Sequence, residues 1–550
     1  MKLLLRTKFS AGRQFGALKL PIILTFANVM KRLIFILLLL PFALRAQQPA
    51  AELRGAWIAT VFNNDFPSKP GLSPQQFCAE YDGLLDSLHG MGLNAVFVQV
   101  RSAGDAFYRS ALAPWSAYLT GTQGKPPADN FDPMAYMVAS AHNRQMAFHA
   151  WMNPFRAAMN PDTTKLAPTN RLRSLDSGSK SRQFFLYGNR WYFNPASDAV
   201  HNHLREVVLE LITKYDIDGI HFDDYFYPYP IKGETLPDSA SFEAQPHGFL
   251  DINDWRRDNV NRFVEAIAQD VHTLKPHVRF GISPFGVWRN VGRDSLAGSP
   301  TRAGVTSYDD LFADVRLWLQ CGWIDYVAPQ LYWSIGYSPA DYALLLDWWS
   351  RNTFGRNLYI GHAAYKVGNG GDDTNWSLPG QLAMQLQYNR RNPAVLGSIF
   401  FSAKYLLANP LGFRDTLRDH IYTKPVLIPP DNPKLPASLV LSPTFNEPTA
   451  TRKSVLVNWT TRVVYHDAQL PYYFAVYRFN GKNSGDFNDA KNLLYMTPYR
   501  PHKWSYEDFN TQKGKHYAYV VVPYDRQNRA GRPSEPLVVK RKRNKVKLTH

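Results

Sequence analysis

Residues 219–230 read Gly-Ile-His-Phe-Asp-Asp-Tyr-Phe-Tyr-Pro-Tyr-Pro, an apolar run that ends in two adjacent carboxylates, Asp223 and Asp224, and then a row of aromatics. A carboxylate beside buried strand residues is costly unless it is paired or titrates. Two side by side repel, so one holds a proton while its neighbour stays ionised. An acid next to an anion is what cleavage of a glycosidic bond requires, and Tyr225 and Tyr227 offer flat apolar faces to a sugar ring. A solvated loop start or a helix cap is the alternative use of the same residues.

The elements that must position this pair are legible over residues 54–403. Eight short apolar runs, at 54–61, 95–101, 147–156, 219–226, 279–286, 326–333, 358–365 and 397–403, alternate with helical patterns such as 75–90, 199–215, 255–275 and 308–320. Eight alternations predict an α/β fold, a (β/α)8 TIM barrel over residues 51–422, with its chemistry at the C-terminal ends of the strands. Those ends supply the candidate sugar-binding residues. Arg101 and Asp105 follow the second run, where they bind hydroxyls or form an internal salt bridge. Trp151, Asn153 and Arg156 belong to the third, with Trp151 stacking on a sugar or packing in the core. Trp288 and Asn290 follow the fifth, Gln330, Tyr332 and Trp333 the sixth, and His362 lies in the seventh. No Glu stands at any strand end, so an acid there is an Asp, with Glu234, Asp238 and Glu243 as acids of the loop after the fourth run. A Ser-His-Asp elbow, a Gly-rich phosphate loop and metal-spaced His/Cys clusters are missing from the sequence, which points away from acyl transfer, phosphoryl transfer and metal hydrolysis. No metal and no cofactor is therefore expected. The two cysteines, Cys78 and Cys321, are expected as buried free thiols.

At 550 residues the chain suggests two or three domains. Its +17 formal charge is mainly terminal: residues 1–46 hold 8 Lys/Arg and no acids, and residues 540–550 hold 6 and no acids. The body between carries 48 bases against 45 acids, which argues against a nucleic-acid face. Residues 1–46 read as a secretory signal peptide starting at Met30, with Lys31-Arg32, the apolar run 33–40 and an exit at Ala46. The expected address is the periplasm or cell envelope, with no integral membrane segment once the signal is removed. Residues 423–436 form a Pro-rich extended linker. Alternating runs over 437–540 predict a fibronectin type III-like β-sandwich, with Trp459 as its early core Trp and Tyr517 or Tyr519 as its late Tyr. It has no acid cluster and is expected to act as a spacer or as a surface for envelope protein contacts. Residues 541–550 are a basic tail.

Several long motifs occur in a familiar order: Glu52-Leu53-Arg54-Gly55-Ala56-Trp57, Gln99-Val100-Arg101, Gly104-Asp105-Ala106-Phe107-Tyr108, Pro114-Trp115-Ser116, His149-Ala150-Trp151-Met152-Asn153-Pro154, residues 218–230, Asp254-Trp255-Arg256-Arg257, 281–290 and 329–333. Over about residues 51–420 the chain resembles the bacterial glycosyl-hydrolase-like family 10. The resemblance implies an envelope-located barrel glycosidase acting on peptidoglycan strands stripped of their stem peptides, with Asp223 and Asp224 as its catalytic centre and no individual roles assigned. The two-domain arrangement is similar to that of relatives from the Bacteroidetes, which implies a Gram-negative periplasm. The adjacent acids also resemble the Asp-Glu pair of substrate-assisted hexosaminidases. On that pattern Asp224 is the acid and Asp223 the acetamido orienter or nucleophile, the two being interchangeable. An inverting scheme with Asp105 across the cleft stays open. The competing class is a non-catalytic glycan-binding barrel, to which two repelling carboxylates would bring no advantage.

The charged, apolar and small-residue order of the N-terminal segment gives a first testable outcome. N-terminal sequencing of the exported protein should begin close to Gln47, and a mature form retaining Met1 would contradict it.

Overall fold

A computed structural model describes residues 48–431, 442–461, 470–500, 504–542 and 545–548. The expected signal segment, residues 432–436 of the expected linker and the end of the basic tail lie outside the described residues. Eight parallel strands close into a barrel in simple cyclic order. They are β1 (Leu53–Ile58), β2 (Ala95–Arg101), β3 (Ala147–Met152), β4 (Gly219–Phe222), β5 (Arg279–Ile282), β6 (Tyr326–Val327), β7 (Asn357–Ala363) and β8 (Val395–Phe401). Each falls within two residues of the start of an expected run. Several runs extend past their strand, because the residues beyond it turn into the loops that carry the cleft. Among the described residues no helix is long and apolar enough to cross a membrane.

Period-two alternation divides each strand between two environments. On β4, Ile220 and Phe222 pack outward against the helices, while Gly219 and His221 face the lumen. The helices meet the sheet through apolar stripes. In Asp198–Lys214 the buried residues Leu204, Val207, Val208 and Leu211 recur at helical spacing. Pro74–Gly90 starts on a capping box between Ser73 and Gln76. The expected helix at 308–320 begins only at Val315, where Asp314 caps it by accepting from the Leu317 N–H. Cys78 is half-buried and Cys321 exposed, so the expectation of two buried thiols fails. Cys321 ends its short helix just before the turn at Gly322.

Among the described residues the C-terminal domain is a β-sandwich of two antiparallel sheets, one of four strands and one of five. Trp459 is buried with Phe474, Val476 and Val521, and the Tyr519 hydroxyl donates to Asp508 at 2.7 Å. Residues 546–548 of the expected tail pair as an edge strand with residues 539–541. The Pro-rich segment is docked over its described part rather than free. The Glu52 N–H donates to the Leu427 carbonyl, and Arg279 donates to the Pro429 carbonyl at 2.7 Å and pairs with Asp431 at 2.6 Å.

The sandwich sits on the N-terminal mouth of the barrel. The Tyr472 hydroxyl donates to Asp218 at 3.1 Å, His142 contacts the other Asp218 oxygen at 2.9 Å, and Arg526 pairs with Asp216. Burial works against the charge on Asp218, but the His142 charge and hydrogen bond and the Phe148 N–H outweigh it and hold the carboxyl at about 2. A lowered carboxyl stabilises the fold above its unfolded value, and that stability is lost as pH falls through about 2. Asp218→Asn should therefore cost about 2 kcal/mol at pH 7. Urea unfolding should show the deficit shrinking from pH 5 towards pH 2, and a pH-independent deficit would contradict the linkage.

Candidate active site

The C-terminal ends of the strands enclose a cavity of about 520 Å³. Eight of the expected residues line it: Asp223, Asp224, Trp151, Asn153, Arg156, Tyr225, Gln330 and Tyr332. β4 ends at Phe222, earlier than expected, and the chain turns at once, the Phe226 N–H donating to the Asp224 carbonyl at 3.1 Å. The turn brings both adjacent carboxyl groups into the same cavity.

The two acids are held differently. On Asp223, Oδ2 accepts from the Trp151 indole at 3.3 Å and from the Asn153 amide, and Oδ1 accepts from the Tyr225 N–H at 3.2 Å. Asn153 is itself fixed, because Gln99 donates to it at 2.7 Å. Gln99 in turn accepts from the Thr60 and Val61 N–H groups at 3.0 and 2.9 Å. A chain of amides thus ties the β1 loop, β2 and β3 to Asp223. Asp224 accepts on Oδ2 from the Tyr229 hydroxyl, and Gln330, which also donates to the Ser283 carbonyl at 2.9 Å, supports its charge.

Burial, and then the charge of Asp224, push the Asp223 carboxyl up to about 7, against the opposing charge of Arg156. Burial also raises Asp224, with Tyr229 and Gln330 opposing. The upper step belongs to the pair, which keeps one proton below about pH 7. Around it stand the aromatic rings of Trp57, Tyr225, Tyr229, Tyr332, Tyr365, Phe401 and Tyr405, with Phe62 exposed at the rim. Asp65 fixes the rim: it accepts from the Ala59 N–H at 2.8 Å, the Ser402 hydroxyl at 2.6 Å and the Lys404 N–H at 2.8 Å, tying the β1 loop to the end of β8.

Seven expected residues lie elsewhere. Arg101 and Asp105 are buried behind the cleft, Arg101 donating to the Pro154 carbonyl at 3.3 Å. Asp105 therefore does not stand across the cavity from the pair. The turn after β2 directs it inward, where burial raises its carboxyl while Ser116 and Arg101 oppose. Tyr227 is core, edge-on to Phe312, because the loop path between Tyr225 and Tyr229 turns it away from the cleft. Trp288 stacks on Trp348 at 5.8 Å, and Asn290 braces its own loop, accepting from Thr301 at 2.8 Å and from the Ala303 N–H at 3.0 Å. Trp333 packs on Phe285 outside the lining. His362 falls on the outward face of β7, between Gln385 at 2.9 Å and Ser398 at 3.1 Å, and burial lowers it to about 4. Of the loop acids, Asp238 pairs with Arg256, and Glu234 accepts from the Gly188 N–H at 3.3 Å. Among the described residues no group of three metal-ligating side chains converges.

Sequence reasoning missed Trp57, Gln99 and Tyr229 as site residues. Gln99 and Trp57 were findable, since each lies in a lumen-facing register near the end of its strand. Tyr229 had no such signal, because its approach to Asp224 depends on the loop path.

The raised pair makes a prediction about stability. The folded chain holds a proton that the unfolded chain has released between pH 4 and about 7, so wild-type stability declines as pH rises through that window. Asp224→Asn removes the repulsion and one of the two titrating groups, leaving Asp223 raised by burial alone. Its melting temperature should gain on wild type by about 2–4 °C, roughly 1 kcal/mol, between pH 4 and pH 8, and a constant difference would contradict the coupling.

Comparison with known proteins adds four findings. The family model described as Glycosyl hydrolase-like 10 matches residues 52–378. The glycosyl hydrolase YngK of Bacillus subtilis (strain 168) is 42% identical over 500 residues, covering 90% of this chain and 94% of its own. The glycosyl hydrolase DigH of Escherichia coli (strain K12) is 36% identical over 378 residues, 66% of this chain and 85% of its own. Among solved structures, the PgaB (BpsB) glycoside hydrolase domain from Bordetella bronchiseptica aligns at 12% identity and a TM-score of 0.43, over 68% of this chain and 99% of that one.

Proposed function

Because this chain belongs to the glycosyl hydrolase-like 10 family and is a glycoside hydrolase, we propose that it cleaves N-acetylated envelope glycan, peptide-free peptidoglycan strands above all, after export to the periplasm or envelope. The observation that carries the mechanism is the unequal support of the two buried carboxylates. Asp223 takes three N–H donors across its two oxygens, which occupies three of about four lone-pair sites. With those sites filled, the proton that the raised pair shares would go to Asp224, leaving Asp223 as the anion with one site free. That site suits the N–H of a sugar 2-acetamido group, which Asp223 would orient so that the acetamido oxygen attacks the anomeric carbon.

Asp224 is the acid. The Tyr229 hydroxyl donates to its Oδ2, which leaves Oδ1 to carry the proton. That proton passes to the glycosidic oxygen as the bond to the anomeric carbon breaks, and the leaving sugar departs as an alcohol. Water then attacks the anomeric carbon and displaces the acetamido oxygen, restoring the acetamido group and giving a proton back to Asp224, so that the acid is restored and one water is consumed. The rings of Trp57, Tyr225, Tyr332 and Tyr365 supply stacking faces along the cavity. The C-terminal sandwich, of fibronectin type III type on the sequence pattern, would serve envelope contacts through surfaces it does not use to cap the barrel.

Incubation with peptide-free peptidoglycan strands, followed by mass spectrometry for new reducing ends, tests the reading. Asp223→Asn and Asp224→Asn should each lower kcat by roughly 10² to 10⁴ while the fold survives. The wild-type rate should fall as pH rises above about 7, where the pair loses its proton. Binding of the strands without any cleavage would favour the glycan-binding class instead, and full activity in both Asn variants would refute the assignment.

A further inference from the structure

Among the described residues most arginines with a largely buried head group are ion-paired; Arg101 and Arg541 are held by backbone carbonyls away from the cleft, and Arg156 is the one without an ion pair that lines the cavity. Arg54 and Arg390 hold Glu52 at 2.8 Å, Arg256 holds Asp238 at 2.6 Å, Arg279 holds Asp431 at 2.6 Å, and Arg478 holds Asp508 at 2.7 Å. Arg156 is 5% exposed and lines the cavity, yet no carboxylate among the described residues stands within ion-pair distance of it. Its Nη1 reaches the Ser102 carbonyl only at 3.5 Å, its Nε has no partner, and its guanidinium lies 4.3 Å above the Tyr225 ring. A guanidinium taken out of water without a counter-ion is expensive, more than a ring face and one long hydrogen bond offset.

The charge balance of the cavity points the same way. Its charged lining residues are Asp223, Asp224, Arg156 and Lys404. Below about pH 7, where the acid pair keeps one proton, the lining carries a net positive charge. A neutral sugar leaves that charge uncompensated, whereas an anionic one completes it.

We propose that Arg156 is a specificity-determining residue that takes a carboxylate borne by the substrate, so that the cleft selects an N-acetyl sugar carrying a carboxylate on an ether substituent over its neutral counterpart. The inference rests on the glycan-cleaving reading above and deepens it. Arg156 leaves β3 at the start of a short antiparallel strand, Arg156–Ala158, which pairs with Arg190–Phe193. This fixes the backbone beneath the guanidinium, and the Tyr225 ring, one residue from the acids, holds the head group flat. A carboxylate seated on Nε and a terminal nitrogen would lie beside the sugar whose acetamido group Asp223 orients. Lys404, exposed at the rim and 3.4 Å from the Asn64 side-chain oxygen, would draw the anion in without fixing its geometry.

The test uses the full chain and two forms of one alternating N-acetylated oligosaccharide, one with free 3-O-lactyl carboxylates and one with the same groups as neutral carboxamides. Wild type should favour the free acid in kcat/KM by about 10-fold or more, mainly through KM, as expected for a hydrogen-bonded charge pair. Arg156→Gln should lose roughly 10- to 100-fold more on the free acid than on the carboxamide and so erase the preference, while Arg156→Lys should restore part of it. Equal wild-type turnover of the two substrates would overturn the inference and leave the glycosidase reading intact. It would also be overturned if Arg156→Gln lowered both substrates alike with a displaced pH profile, since Arg156 would then only tune the acid pair. Failure of wild type to cut either substrate would overturn both readings together.

Discussion

The cleft stands on a dry floor of hydrogen bonds whose directions are set by one indole. Trp57 N–H can only donate, and it points at His221 Nε2 from 3.1 Å, so that nitrogen is the acceptor. Neutral His221 then carries its proton on Nδ1 and donates to the Tyr326 hydroxyl at 3.0 Å, and Tyr326 passes its own proton towards His149 Nδ1 at 2.9 Å. Protonating either imidazole would break this order. Burial enforces the same result, lowering His149 to about 3 and His221 well below its ordinary value. The floor stays uncharged at working pH, so it adds no counter-ion to the acids above it, and their raised values follow from a desolvated environment.

Packing makes room for that floor through glycine. A Cβ on Gly219 would stand 2.3 Å from His149 Nδ1, and one on Gly281 would stand 2.0 Å from the Tyr326 ring. Small residues on β4 and β5 are thus matched to large ones on β3 and β6, the large-against-small filling that a closed eight-stranded barrel needs. The sandwich closes the same system from below. Tyr472, Tyr499 and Arg526 share with His149 and Arg279 an interface void of only about 10 Å³. This capping keeps bulk water from His149 and connects a domain without an acid cluster to the electrostatics of the distant cleft.

The strands and the acid pair were legible in the sequence because both obey local rules: short apolar runs at regular spacing, and charges where a run stops. What was not legible depended on which face a residue takes after the run ends. His362 alternates with Tyr359 and Gly361, which face the lumen, so strand parity already placed it among the helices. Trp288, Asn290 and Trp333 sit beyond their strands, where no period applies and loop packing decides. Arg101 and Asp105 were legible as polar neighbours, but not as groups buried behind the cavity without the salt bridge that the sequence allowed. The Pro-rich stretch suggested a stiff extended segment. Its carbonyls, left free by a chain with few N–H donors, are instead taken by Arg279 and Asn357.

The juxtaposition of Asp223 and Asp224 is itself a product of the strand's end. In a regular strand, neighbours point to opposite faces, so two consecutive acids would be divided between the lumen and the helices. β4 stops at Phe222, and the turn closed by the Phe226 N–H rotates Asp224 back towards the cavity, where Tyr229 meets it. Only beyond the last ladder hydrogen bond is the backbone free to break period two in this way. Burial then does the rest: the shared desolvated pocket forces the two carboxyls to titrate as one unit, and the different donors around them decide which keeps the proton. The location of the chemistry at the C-terminal end of the strand and the coupling of its acids are thus one constraint, imposed by where the regular structure is allowed to end.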